Sequence, residues 1–281
     1  MTKLKVLVFG ATGSIGRLVV EEALRSHHAV RALVRNSGMA TRLSKEVQVI
    51  TGDVTRPDTL FPAVDGIDAV VVTVNADGQG KAAAEAVYYR GVRDLLGAIG
   101  SRPVRIALMT SIGVTERNGP YNRTNEGHDW KRRAERLLRA SGLPYTIVRP
   151  GWFDYNAPDQ HRLTFLQGDR RHAGDPSDGV IARRQIAEVL VGSLNSAGAL
   201  RKTLELVAEK GPAPLDLEPL FSVLQADAAD AFDGTGDLAN MPLGQEPAHV
   251  RDELMHAFRH QERRFLARQT NTPAGTDIPK G

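Results

Sequence analysis

The sequence predicts an α/β fold: a doubly wound parallel sheet with a small C-terminal helical lobe. Three observations predict it. Short apolar runs alternate with helix-period segments from Leu4 to about Val207. The first run is followed at once by three spaced glycines in Gly10-Ala11-Thr12-Gly13-Ser14-Ile15-Gly16. Each of the six apolar runs ends at a polar, glycine or proline position, the place where open α/β sheets bind ligands.

The first strand reads Leu4 to Phe9, and its helix runs from Ser14 to about Arg25 on an apolar stripe of Ile15, Leu18, Val19 and Ala23. A second strand spans Ala29 to Val34, completing a βαβ unit. The third strand is Val47 to Ile50, with a short helix opening near Pro57. The fourth, Ala69 to Val74, is apolar enough to be buried on both faces. A loop over 75–80 and a long helix from about Lys81 to Ile99 follow. The fifth strand is Arg105 to Thr110. A charged helix spans about Glu126 to Ala140 and stops at Ser141-Gly142. The sixth strand, Tyr145 to Arg149, is closed by Pro150. Residues 151–177 read as a loop or lid. A helix at about Arg184 to Ser193, a strand at Lys202 to Val207, and helices at Leu217 to Ala226 and Pro247 to Arg264 complete the chain. The expected organisation is a core over 1–150, substrate-lobe insertions and C-terminal helices over 151–268, and a disordered tail over 269–281, all in one structural unit.

The glycine spacing has a physical cause. Gly10 turns the chain off the strand, Gly13 lets backbone approach a pyrophosphate, and Gly16 lets the helix pack on the strand. The diphosphate would sit at a helix N-terminus, where free N–H groups favour negative charge. The segment thus predicts a Rossmann-type dinucleotide site. The second strand ends in Arg35-Asn36, with no Asp or Glu between Glu22 and Glu46. An acidic residue there would bond the ribose 2′-hydroxyl of NAD; an arginine suits a 2′-phosphate, and so NADP(H). The plainer reading of Arg35 is a solvated strand-end charge.

Composition narrows the rest. The chain has 281 residues and no cysteine, which excludes disulfides, thiol catalysis and Cys-based zinc sites. Met1-Thr2-Lys3-Leu4 leads straight into a strand, leaving no room for a signal peptide, and no apolar stretch is long enough to span a membrane. A soluble, cytoplasmic protein is expected. The net charge of +3 is small and the arginines are scattered, so a small-molecule substrate is expected rather than nucleic acid or membrane, and the oligomeric state stays open. Gly113 follows Ser111 by two, but no glycine precedes it at that distance, so this is no nucleophile elbow. His27-His28 at a helix end suits charge capping, and His256 and His260 read as solvated.

Four segments together resemble the short-chain dehydrogenase/reductases, in their atypical NmrA-like, NAD(P)-binding branch: the Gly10–Gly16 turn, Gly52-Asp53-Val54, Thr110-Ser111-Ile112-Gly113, and the string Ser141 to Gly151. The resemblance implies that Thr12, Gly13, Ser14 and Ile15 contact the phosphates and that Arg35 takes the 2′-phosphate. Asp53 and Val54 would hold the adenine, and Asn75 would line the ribose near the nicotinamide. Pro150, Gly151, Trp152 and Phe153 would back the nicotinamide ring. Asp53 as a helix cap, and Trp152 and Phe153 as core, are the alternatives. The expected substrate pocket is formed by 75–80, 111–121 and 152–165.

The family's engine is a serine plus a tyrosine four positions before a lysine. Ser111 and Lys131 match the serine and lysine, but Gly127 stands where the tyrosine belongs. Three readings follow. Lys131 orients the ribose while Ser111, Tyr121 or His128 polarises the substrate. Alternatively, a quinone- or flavin-like acceptor needs no protein acid. Or the site is silent and the protein senses NADP(H). The leading expectation is an NADPH-dependent oxidoreductase acting on a small carbonyl, quinone or flavin-like compound. A tailoring oxygenase or isomerase on the same fold stays open.

Overall fold

The computed structural model describes residues 2–270, with side chains to residue 261. Ten strands form one sheet. In chain order they are β1 Lys5–Phe9, β2 Ala29–Val34, β3 Gln48–Thr51, β4 Ala69–Val72, β5 Arg105–Met109, β6 Tyr145–Pro150, β7 Trp152–Phe153, β8 Arg162–Leu166, β9 Val180–Ile181 and β10 Lys202–Glu209. Their order is β3-β2-β1-β4-β5-β6-β10-β9-β7, with β8 also paired to β10. From β3 through β10 every neighbouring pair is parallel. The order reverses at β1, so the crevice between β1 and β4 is the topological switch point where α/β sheets bind ligands.

Both faces of the sheet are covered, and the strands are apolar throughout because alternate residues enter opposite cores. Val6 and Val8 face a core closed by α1 (Ser14–Arg25). Leu7 and Phe9 face the other core, which contains Val92 and Leu95 of the helix following β4. That helix begins as α2 (Lys81–Ala84), passes through a π-turn at Glu85–Arg90, and continues as α3 (Gly91–Ile99).

Several expectations shift by one or two residues at element ends. Three differ in kind. Residues Pro120–Asn125, read as loop, form a short helix, α4, ahead of α5 (Gly127–Ala140). The segment 151–177 is more than a lid: it contributes β7 and β8, and β8 runs antiparallel to β10. After α6 (Arg183–Gly192), the helix expected over Leu217 to Ala226 shortens to α7 (Glu218–Ser222), and α8 (Ala248–Thr270) runs past the expected Arg264. The expected disordered tail therefore begins within a helix, and its part beyond 270 lies outside the described residues.

The charged helix α5 is the largest surprise. Arg132, Arg133, Arg136 and Arg139 are all buried. They are met by the segment after β10: Asp233 by Arg132 at 2.9 Å and Arg136 at 2.6 Å, Glu246 by Arg133 at 2.6 Å and Arg136 at 3.1 Å, and Asp227 by Arg139 at 3.2 Å. The segment from Asp227 to Glu246 is thus the ionic partner of α5. Val250 and Leu254 of α8 join Trp130, Leu137 and Tyr89 in a third apolar cluster.

Candidate active site at the carboxyl ends of the strands

The glycine turn behaves as its spacing requires. Gly10 has φ +101°, which favours glycine, and a Cβ at Gly16 would lie 2.0 Å from the Gly10 carbonyl oxygen. At Gly13 a Cβ would meet only that same oxygen, at 3.3 Å, so the backbone is open to a ligand. No side chain caps α1 and no acidic residue lies in its first turn. These features fit a dinucleotide diphosphate. Thr12, Ser14 and Ile15 lie on the same turn.

Around it, Arg35 is exposed and, among the described residues, has no ion-pair partner. Ser14, Arg17, Leu18, Glu21, Arg42 and Arg183 line an adjoining cleft. Asp53 does not cap a helix: its Oδ1 accepts from the Thr55 backbone N–H at 2.9 Å and the Thr55 hydroxyl at 2.8 Å, fixing the turn after β3. Val54 is half-buried beside it and packs on the core shared with α3.

The reacting end is built on α5. Lys131 is buried, and its Nζ lies 3.2 Å from the Tyr121 hydroxyl and 3.5 Å from the Ser111 hydroxyl. Ser111 follows β5 in a clamped loop. Thr110 donates to Glu135 at 2.7 Å, and the Gly113 and Thr115 N–H groups donate to the Asp169 carboxylate, each at 2.7 Å. Tyr121 is fixed through α4. Asn122 exchanges hydrogen bonds with Asp129 of α5, and Arg117 holds that carboxylate at 3.0 and 2.9 Å.

Two participants were not picked out as acting groups from the sequence. Asp77 accepts from Tyr121 and, at 2.7 Å, from Tyr88, and it lies 3.7 Å from Lys131. Tyr88 sits in the π-turn, accepts from the Ala76 N–H at 2.9 Å and can donate instead to Asn75 at 2.7 Å. The Lys131 ammonium lies 4.9 Å from the Tyr88 ring centre and 5.2 Å from that of Tyr121. Asp77 was visible as an acidic residue just past β4; a π-turn has no comparable sequence mark.

The electrostatics follow from burial and these contacts. Burial pushes Lys131 down and Asp77 pulls it back up. Burial works against ionisation of Asp77, but Lys131 and the two phenols outweigh it and hold the carboxyl below its ordinary value. Burial and then Asp77 push the Tyr121 phenol up. His128, whose ring centre is 4.5 Å from that of Tyr121, is pushed down to about 4 by burial and by Lys131. It is neutral at working pH, and so lacks the near-neutral titration expected of it.

Trp152 and Phe153 form β7, directly after β6. Past Pro150 the chain crosses to β9, where the Trp152 N–H donates to the Gly179 carbonyl. Trp152 stacks edge-on with Tyr155, and Arg183 lies over Phe153 at 5.3 Å. Neither shares a hydrogen bond or ring contact with Ser111 or Lys131 among the described residues. His28 is no charge cap: burial pushes its pKa down, and its Nδ1 accepts from the Leu4 N–H at 3.3 Å. His256 and His260 are exposed, as expected. No helix among the described residues is long and apolar enough to cross a membrane.

Comparison with known proteins agrees with this geometry. The family model for NAD(P)H-binding proteins matches residues 10–197. An uncharacterized chloroplastic protein of Arabidopsis thaliana is 32% identical over 245 residues, covering 78% of this chain and 75% of that one. Sanguinarine reductase of Eschscholzia californica is 29% identical over 263 residues, covering 78% of this chain and 96% of that one. The solved structure of ChuY, an anaerobilin reductase of Escherichia coli O157:H7, superposes with a TM-score of 0.60 at 23% identity, covering 74% of this chain and all of that one. With residues 10–197 matched by that family model, the chain belongs to the NAD(P)H-binding family, consistent with the atypical, NmrA-like short-chain dehydrogenase/reductases.

Proposed function

We propose that this protein is an NADPH-dependent reductase acting on a small carbonyl, quinone or flavin-like acceptor. The observation that carries the reading is Lys131. Its buried ammonium is aimed at two hydroxyls, Ser111 and Tyr121, just past the strand ends where a nicotinamide would lie. Holding a buried ammonium costs free energy, and a site that retains one is a candidate for function. Two relatives named as reductases support the class.

A nicotinamide bound there supplies a hydride. The chain's own residues do the rest. Ser14 and Ile15 present backbone N–H groups at the start of α1, suited to a diphosphate, while the Gly13 N–H is spent on the Gly10 carbonyl at 3.0 Å. Arg35, without an ion pair among the described residues, suits a 2′-phosphate and favours NADPH over NADH; Arg42 lies in the segment after β2. Lys131 suits the nicotinamide ribose, and Asn75, fixed by Tyr88, lines the same crevice. Ser111 offers a hydroxyl to polarise a substrate oxygen.

The test is NADPH oxidation against a panel of quinones, flavins and aromatic carbonyl compounds, beside NADPH and NADH affinities. At least one acceptor should turn over, NADPH should bind more tightly than NADH, and Ser111→Ala should lower turnover with cofactor affinity nearly unchanged. Tight binding of both redox forms with no turnover would overturn the reading in favour of an NADP(H) sensor, which the glycine at 127 otherwise suggests.

A further inference from the structure

A Cβ added to Gly127 would lie 2.6 Å from the Tyr121 hydroxyl and 2.9 Å from Tyr121 Cε1. The phenol of Tyr121, with the Asn125 side-chain oxygen at 2.7 Å beside it, therefore fills the space that a side chain at 127 would need. Lys131, one turn along α5, is 3.2 Å from that hydroxyl. We infer that Tyr121 is the proton donor of this site, delivered from α4 instead of α5, and that Gly127 is the vacancy that admits it. This rests on the reductase reading above and deepens it.

The step balances simply. Hydride addition leaves an electron pair on the substrate oxygen. That pair takes the phenolic proton: the Tyr121 O–H bond breaks and a product O–H bond forms. The phenolate is held by the Lys131 ammonium and regains a proton from water. Before transfer, the O–H turns from Asp77 to the substrate by rotation about its C–O bond. Asp77 is a positioning residue: it holds the phenol in line and keeps it protonated. His128 packs against Tyr121 with the rings tilted at 43° and meets the Glu116 carbonyl at 3.4 Å; being neutral, it serves as packing for the phenol.

Turnover, NADPH affinity and melting temperature of substituted proteins test this. With a carbonyl substrate that wild type turns over, Tyr121→Phe should reduce turnover by about 100-fold, within the range for losing a general acid, while NADPH affinity changes by less than about twofold. The exchange variant, Tyr121→Gly with Gly127→Tyr, should recover more turnover than Tyr121→Gly alone. Independently of activity, Gly127→Ala should lower the melting temperature more in wild type than in Tyr121→Ala, because the phenol contributes the nearest contact in the shared space. Full turnover by Tyr121→Phe, or equal Gly127→Ala effects in both backgrounds, would overturn the inference with the reductase reading intact. A wild type that binds NADPH and reduces nothing in the panel would overturn both.

Discussion

Glu205→Gln should stabilise the protein above neutral pH and flatten its pH–stability curve. Glu205 is buried on β10, facing Arg149 from β6. Arg149 is already committed. It reaches Glu135 through Nε at 3.0 Å and Nη2 at 2.6 Å, and Asp237 through Nη1 and Nη2, both at 2.7 Å. Glu205 is left with a 3.5 Å contact to that guanidinium and a 3.2 Å bond from the Asp169 N–H. It is a surplus carboxylate. Burial pushes it up, Arg149 resists, and the charges of Asp169 and Asp237 add to the push, leaving it at about 7 against an ordinary 4.5. Between those values the folded protein keeps a proton that the unfolded chain has released, so stability falls as pH rises through the window. At roughly 1.4 kcal/mol per pKa unit the loss comes to about 3 kcal/mol by the time pH has passed the folded value. Glutamine stays neutral, and its amide oxygen can still accept from the Asp169 N–H. Urea unfolding of both proteins across pH measures the effect, and their difference cancels every other titrating group. The curves should meet near pH ~5, and the variant should lead by on the order of 2–3 kcal/mol near pH ~8. Parallel curves, or a variant weaker at the higher pH, would refute the reasoning.

Arg149→Leu should do the opposite. It strands Glu135 and Asp237 without their shared cation and should cost about 3–5 kcal/mol, read as a lower urea midpoint. Gly16→Ala forces a methyl against the Gly10 carbonyl and should cost about 1–3 kcal/mol, with loss of NADPH binding by fluorescence titration; an unchanged affinity would mean the turn relaxes freely. Arg35→Ala should weaken NADPH by about 10- to 100-fold and leave NADH unchanged, the size of one lost charge-assisted contact.

The cofactor half of the molecule was legible because its constraints are local. A glycine turn, an apolar strand and a helical stripe lie within one βαβ unit, and each is set by its own residues. Arg35 and Asp53 stand at strand ends for the same reason. The reacting half was less legible because it is assembled from separated pieces. Tyr121 reads as a loop residue, since a six-residue helix opened by Pro120 leaves no periodic stripe. Tyr88 reads as one more position on a long helix, and the π-turn that places it among the site's polar groups comes from packing. The strand formed by Trp152 and Phe153 was not legible because it pairs with β9, a partner nearly thirty residues away that no local pattern announces.

The burial of the charge on α5 was not legible for a related reason. Helical positions rich in arginine and glutamate ordinarily face water, because burying an unpaired charge is costly. Here the compensating carboxylates come about a hundred residues later, so sequence proximity conceals the pairing. The consequence reaches the site. One helix carries Lys131 at its start and, over the following two turns, the arginines bound to Asp233, Glu246 and Asp227. Glu135 on that same helix accepts from Thr110, the residue before Ser111, and from Arg149. The segment 227–246 therefore does more than cover a face. It fixes the rotation of α5 about its axis, and with it the direction in which Lys131 points. Because the lattice is buried, it is little screened by salt. The Ser111–Lys131 geometry should accordingly hold across ionic strength, while the weakly attached Glu205 leaves it sensitive to pH.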